Sequence, residues 1–176
     1  MAATLRFTAT GSDKYIKVTD KLNSAAKAEV KFQKVTGDVP FEVTVSTQGT
    51  PGVNDVRVDI SRDNATYGNY HDGTLAEGAA IDDSKLPAAV TFTSAKTPKY
   101  LRITDKNSGS ENVSKLLNDG EKFEINVLAV KNSGEVKVEV SRDNSTYATH
   151  DDRMPVTHGS TYPIDDAKLP KQAARR

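Results

Sequence analysis

The chain has no cysteine and no tryptophan in 176 residues, and only 6% of it is aromatic. Without cysteine there are no disulfide staples, thiolate metal sites or thiol nucleophiles, and intracellular assembly is favoured over a small secreted scaffold. No charge sign dominates, since Lys plus Arg and Asp plus Glu number 24 each. A chain with no net field has no electrostatic case for nucleic acid or an anionic membrane as partner. No apolar run approaches the roughly 20 residues of a spanning helix. The opening MAATLRFTATGSDKY carries no apolar stretch of signal length, so the expected place of synthesis is a cytoplasm. The closing KQAARR reads as a solvated basic tail. No Walker A loop, dinucleotide-binding glycine fingerprint or zinc spacing occurs, so no cofactor and no metal are expected.

What is present is a repeat. KYIKVTDK from Lys14 returns as KYLRITDK from Lys99, and FEVTV from Phe41 as FEINV from Phe123. VRVDISRDNATY from Val56 returns as VKVEVSRDNSTY from Val136, and IDDSKLP from Ile81 as IDDAKLP from Ile164. The order is kept and 22 of 32 positions are identical. The offset drifts only between blocks, where the chain is polar, so insertions fall in loops. A tandem duplication is the expected organisation, with one domain over 1–87 and a second over 88–176. Each copy has the size of a small domain, and two copies are too few for a solenoid.

The blocks alternate as half-buried strands do. Val56, Val58 and Ile60 fall on one face and Arg57, Asp59 and Ser61 on the other, and Val136, Val138 and Val140 repeat the pattern against Lys137 and Glu139. Leu5 with Phe7, Ile16 with Val18, Ala28 with Val30 and Phe32, and Phe41 with Val43 and Val45 extend it. Helical signals are short: KLNSAAKAEVKF, and one turn in NVSKLLNDG ended by Gly120. Six or seven short strands per copy, separated by Gly, Asn, Asp and Pro turns, predict an all-β protein of two tandem duplicated antiparallel β-sandwich (immunoglobulin-like) domains, with a small barrel as the alternative. The Cys…Trp…Cys core of a true immunoglobulin domain is excluded by composition.

The repeated phrase S-R-D-N-[AS]-T-Y follows an alternating strand and precedes β-like composition. Asp and Asn tolerate turn geometry and bond their own backbone, so the phrase reads as a hairpin turn, with Tyr67 opening the returning strand and covering an end of the core. The sequons at Asn64, Asn112 and Asn144 are read as coincidental. Asp82 with Asp83, Asp165 with Asp166, and Asp151 with Asp152 lack the spacing of a calcium loop, and IDD-[SA]-KLP reads as a turn anchored by Leu86 and Leu169. His71-Asp72 and His150-Asp151 stand at corresponding positions of the two copies. They invite a hydrolase reading, but strand neighbours point to opposite faces and no G-x-S-x-G elbow occurs; no catalytic residue is expected.

The phrase VEVSRDNSTY resembles the V-x-V-S-x-D-x-x-[TS]-[YW] hairpins of bacterial and phage β-sandwich modules. Tandem sandwiches of this kind are similar to phage virion accessory proteins, namely capsid decoration proteins and tail-tube or baseplate ornaments with immunoglobulin-like domains. The resemblance implies a class and carries over no site residue. It implies a non-enzymatic structural protein that decorates or stabilises a capsid or tail, is made in the host cytoplasm and resides in the virion. Its partners would be a major capsid or tail protein and further copies of itself through edge strands. The alternative is a cell-surface adhesion or carbohydrate-binding module, which the scarcity of aromatics disfavours. The candidate interface loops are Tyr70, His71, Asp72, His150, Asp151 and Tyr162, where the two copies diverge.

Overall fold

A computed structural model describes residues 1–23, 29–35, 40–49 and 52–171. Two compact units are present, Met1–Pro87 with Val130–Asn132, and Ala88–Ala129 with Ser133–Arg176. The first holds β1 (Ala2–Ala9), β2 (Lys14–Asp20), β3 (Glu29–Val35), β4 (Pro40–Ser46), β5 (Val56–Ser61), β6 (Tyr67–Gly73) and β7 (Ala80–Ile81). The second holds β8 (Ala88–Ser94), β9 (Tyr100–Asp105), β10 (Glu111–Val113), β11 (Lys122–Val127), β12 (Ser133–Ser141), β13 (Ala148–Thr157) and β14 (Thr161–Ile164).

Each unit is a two-layer sandwich of a three-stranded and a four-stranded sheet. The strand orders are β4-β1-β7 and β3-β2-β5-β6 in the first unit, and β11-β8-β14 and β10-β9-β12-β13 in the second. Seven strands therefore take the same order twice. The period-two pattern explains the layers. Leu5, Phe7, Val43 and Val45 from one sheet meet Ile16, Val18, Val58 and Ile60 from the other in a single buried cluster. Val90, Phe92 and Val127 meet Leu101, Ile103, Val138 and Val140 in the second unit. Each fully buried side chain of this kind contributes about 1.5–3 kcal/mol. Phe7 also packs on Phe41 across the β1–β4 pair, ring centroids 5.2 Å apart.

The connections β1–β7 and β8–β14 are parallel, whereas all other strand pairs are antiparallel. The first and last strands of each unit thus lie side by side and run the same way.

Two expectations are corrected. NVSKLLNDG forms no helical turn: β10 covers its start, and Leu117 makes an isolated antiparallel bridge to Lys99. Leu117 is buried, so tertiary packing on the core outweighs the weak local helical preference. Tyr67 does not cover an end of the core. Its ring lies beneath the Lys17 ammonium, 4.3 Å from the centroid, and Lys17 alternates with the buried Ile16 and Val18. The helical reading of KLNSAAKAEVKF and the strand reading of Ala28 fall partly on residues 24–28, outside the described residues. Strand β3 begins directly after them, and the side chains of Val30 and Phe32 also lie outside the described set. Among the described residues, no helix is long and apolar enough to cross a membrane.

Candidate functional site

The repeated hairpin phrase is a hydrogen-bonded turn in both units. Ser61 Oγ donates to Asp63 Oδ1 (2.9 Å), which also accepts the Ala65 and Thr66 amides at 2.9 and 2.8 Å. Asn64 takes a left-handed backbone, φ 64°, and its side-chain oxygen accepts the Tyr67 hydroxyl at 2.6 Å. Ser141, Asp143, Asn144 and Tyr147 repeat these bonds, with Asn144 at φ 59°. The Thr146 and Ser145 amides hold the Asp143 carboxyl far below the usual carboxylate range. The arginine of the phrase has a separate task. Arg62 Nε donates to the Pro87 carbonyl (2.7 Å), and Arg142 Nε to the Pro170 carbonyl (2.8 Å). Each turn is thereby tied to the proline that ends the I-D-D-x-K-L-P block of its own unit.

That block also takes part in a feature that the motifs alone did not reveal. In β2 the inward face is Lys14, Ile16, Val18 and Asp20, and in β9 the buried series Leu101, Ile103 and Asp105 is preceded by Lys99. The Lys14 side chain is fully buried; its Nζ donates to the Thr10 carbonyl (2.6 Å) and the Ile81 carbonyl (3.4 Å) and pairs with Asp83 at 2.6 Å. Lys99 repeats this with Ala95 (2.7 Å), Ile164 (3.1 Å) and Asp166 (2.7 Å). At the other end of each strand, the buried Asp20 accepts the Leu22 and Ser46 amides. Asp105 accepts the Asn107 and Leu128 amides and the Ser108 hydroxyl. Ser46 ends β4 and Leu128 follows β11, so each carboxylate ties its four-stranded sheet to the facing layer. A sequence signal existed: the alternation that buries Ile16 and Val18 places Lys14 and Asp20 on the same side, and the second copy keeps both residue types.

These groups set an acid limit on stability. Burial pushes the Asp83 carboxyl up, but hydrogen bonds from Lys14 and Ser12 outweigh it and hold it below its ordinary value. Asp166 is lowered chiefly by Lys99. Asp20 is raised by burial and lowered further by the amides of Ser46, Leu22 and Asn23. A carboxyl lowered by folding stabilises the native state above its unfolded value, about 3.9 for Asp, and that contribution is lost as pH falls through the lower folded value. The thermal midpoint is expected to stay level from about pH 8 to 5 and to fall steeply below about pH 4. An unchanged midpoint at pH 3 would contradict this assignment.

The six loop residues singled out by sequence do not form one cluster. The Tyr70 hydroxyl donates to the Ala80 carbonyl (3.0 Å) and its ring packs on the first core. The Tyr162 hydroxyl accepts the Thr157 amide (2.8 Å), and its ring lies against Phe92. His71 bonds the Thr74 carbonyl through Nε2 (3.1 Å). His150 Nε2 faces Asp165 at 3.6 Å, and Asp151 accepts the Arg153 amide (2.9 Å). Asp72 pairs with Lys21 at 2.6 Å. The two His-Asp pairs are also not equivalent. Val58 faces His71 while Asp59 faces Asn69, so Tyr70 is the extra residue of a bulge; in the second unit Val138 faces Asp151 and Glu139 faces Thr149, so the extra residue is His150. His71 therefore corresponds to Asp151 and Tyr70 to His150. One residue of shift along a strand exchanges its faces.

Asp72 belongs to a surface that both units present, the outer face of the four-stranded sheet. In the first unit a shallow groove of about 570 Å3 is lined by Lys17, Thr19, Lys21, Arg57, Asp59 and Asp72. Across the strands Lys17 faces Asp59, Thr19 faces Arg57 and Arg57 faces Asp72. Arg57 pairs with Asp59 at 2.9 Å, and Lys21 with Asp55 at 2.9 Å. The second unit places Arg102, Thr104, Lys106, Lys137, Glu139 and Asp152 at the matching positions. Arg102 and Lys137 both pair with Glu139 at 2.8 Å, and Lys106 pairs with Asp152 at 3.0 Å. Burial pushes the Glu139 carboxyl up, and its hydrogen bonds to Arg102 and Lys137 more than reverse this. Arg102 lies over the Tyr147 ring at 4.2 Å, as Lys17 lies over Tyr67. Lysine and arginine exchange between the units, as do Asp and Glu, yet the sign at each position is the same. Arg102 with Glu139 pairs across strands, and Arg57 with Asp59 and Lys137 with Glu139 pair along one strand. Opposite charges so placed hold each other in position, and a charged face of this kind suits a partner surface of complementary charge.

Fold and surface together define a protein class: all-β, built from two-layer sandwiches with ordered charged outer faces. No protein-family model and no curated protein matches the chain. Among solved structures, the Bacillus anthracis TIE protein is similar over 97% of this chain and 35% of its own, with 9% identity and a TM-score of 0.32. A leucine-rich repeat protein from Bacteroides thetaiotaomicron covers 93% of this chain and 26% of its own, at 11% identity and a TM-score of 0.29. The BSP domain of a biofilm-associated protein covers 85% and 25%, at 20% identity and a TM-score of 0.25. The chain thus spans about a third or less of each of these structures.

Proposed function

We infer that the chain is a non-enzymatic structural protein that docks onto a larger repetitive assembly, and that this assembly is a phage particle whose capsid or tail it decorates or stabilises. The observation that supports the reading is the charged outer sheet face carried twice on one chain, with the sign of each position retained while the residue type changes. A lattice offers the same surface many times, and two modest sites on one chain gain from effective concentration when both engage. Asp72 is part of this face, whereas Tyr70, His71, His150, Asp151 and Tyr162 sit beside their own units' backbone or side chains. The reading places the contact on the sheets because that face recurs in both units, whereas the loop residues differ between them.

The test is co-sedimentation with purified tailed-phage particles, at graded salt. The parent chain is expected to bind, and to bind less as salt rises. Lys17→Glu or Arg102→Glu alone is expected to weaken binding about 100-fold through lost avidity, with the thermal midpoint measured alongside. Binding that survives both reversals together would remove the sheet faces from the contact; no binding to any such particle would remove the virion reading. Light scattering on the free chain tests the expected self-association.

A further inference from the structure

We propose that each unit is a force-bearing element, built to resist tension applied along the chain. The parallel pairing of its first and last strands acts as a shear clamp, and the buried lysine reinforces it. This inference stands on the strand pairing and the buried lysine, and holds whichever partner the outer faces bind.

The clamp in the first unit is a regular ladder. Arg6 N donates to Glu77 Oε2 (3.0 Å), and Gly78 N donates to the Arg6 carbonyl (2.9 Å). Thr8 N donates to the Ala79 carbonyl (3.1 Å) and Thr10 N to the Ile81 carbonyl (3.0 Å). Ser12 N then donates to Asp83 Oδ2 (2.9 Å), and the Ser12 hydroxyl to the same oxygen (2.7 Å). Every second residue from Arg6 to Ser12 is bound to every second residue from Glu77 to Asp83. Side chains of Glu77 and Asp83 extend the ladder beyond the two-residue strand β7 at both ends. In the second unit Ala89 N donates to His158 Nδ1 (3.1 Å), Gly159 N to the Ala89 carbonyl (2.8 Å), Thr91 N to the Ser160 carbonyl (3.0 Å) and Ala95 N to the Ile164 carbonyl (2.9 Å).

Direction gives the ladder its mechanical meaning. Tension along the chain enters the first unit at the start of β1 and leaves it after β7. Parallel strands have these two points at opposite ends, so the strands are drawn past each other and all rungs are loaded at once. Antiparallel strands pulled from their free ends open one bond at a time. The lysine adds a rung of another kind. The Lys14 ammonium bridges Thr10, after β1, to Ile81 and Asp83, at the end where tension leaves; Lys99 does the same with Ala95, Ile164 and Asp166. Charge-assisted bonds are stronger than neutral ones, and burial keeps water from replacing them as they stretch. Forced unfolding is governed by the unfolding rate, which is the quantity this arrangement lowers.

Single-molecule force spectroscopy on the full chain decides the matter. The chain has no cysteine, so introduced pairs are unique attachment points. Handles at Met1→Cys and Lys171→Cys load both ladders in shear. Handles at Met1→Cys and Ala76→Cys grip the first unit where β1 and β7 both begin and peel the same ladder open. At one loading rate, the shear geometry is expected to need at least about twice the peeling force. Asp83→Asn is expected to lower the first unit's rupture force in shear and to leave its peeling force nearly unchanged, because peeling breaks the β1 end first. Equal forces in the two geometries would overturn the proposal. A rupture force in shear that Asp83→Asn leaves intact would remove the lysine from the clamp.

Discussion

Lys99→Met is expected to destabilise the second unit by about 3 kcal/mol. Methionine has nearly the length of lysine and fills the same volume, so the loss reads the ammonium and its bonds, with little cavity. Removing one member of a buried ion pair strands the other, which costs about 3–5 kcal/mol. The lower figure applies because the Asp166 side chain is 26% exposed, and because the Ile164 carbonyl still accepts the Ala95 amide. The Ala95 carbonyl loses its lysine donor. Lys99→Met with Asp166→Asn is expected to cost less than the two single changes added, since the second change removes the stranded charge. Urea titration followed by fluorescence and hydrogen exchange measures this. If residues 88–171 unfold as their own unit, Lys99→Met splits the transition into two, with the earlier one in that segment. A single transition shifted as a whole would show that the two units unfold together.

Asp105→Ala is expected to destabilise the same unit by about 2–3 kcal/mol. One buried carboxylate accepts three donors at 2.8 Å, two from the turn after β9 and one, the Leu128 amide, from the facing layer. Alanine leaves the Leu128 amide without its acceptor. Asp105→Asn retains the shape and one carbonyl oxygen, so a smaller loss, about 1 kcal/mol, is expected. Chemical denaturation ranks the two variants, and equal stability of Asp105→Ala and the parent would show that the layers are held by apolar contact alone.

These two residues also show how far the amino-acid pattern reaches. Strand placement was legible because Val56, Val58 and Ile60, or Phe41, Val43 and Val45, alternate with polar neighbours, and water sorts such a pattern onto two faces whatever lies opposite. The hairpin was legible because Asp63 and Asn64 make their bonds within a few residues of themselves. Leu86 and Leu169 read as anchors and are buried. The candidate site was less legible. Divergence between the copies drew attention to Tyr70, His71 and His150, yet the surface that recurs in both units is built from residues that differ in type and agree in charge, such as Lys17 with Arg102 and Asp59 with Glu139. The bulges at Tyr70 and His150 carry no local signature, so the face on which each histidine falls could not be read from spacing.

Local chemistry therefore decided where the strands and turns lie, and that each strand has a wet and a dry side, because period-two burial and short-range hydrogen bonds act within a few residues. Partnership was decided by the tertiary structure. A lysine on the dry side of β2 is tolerable only where two carbonyls and a carboxylate converge on it, and those come from Thr10, Ile81 and Asp83, the latter two far along the chain. Only the closed sandwich, with its last strand laid parallel to its first, brings them to one point.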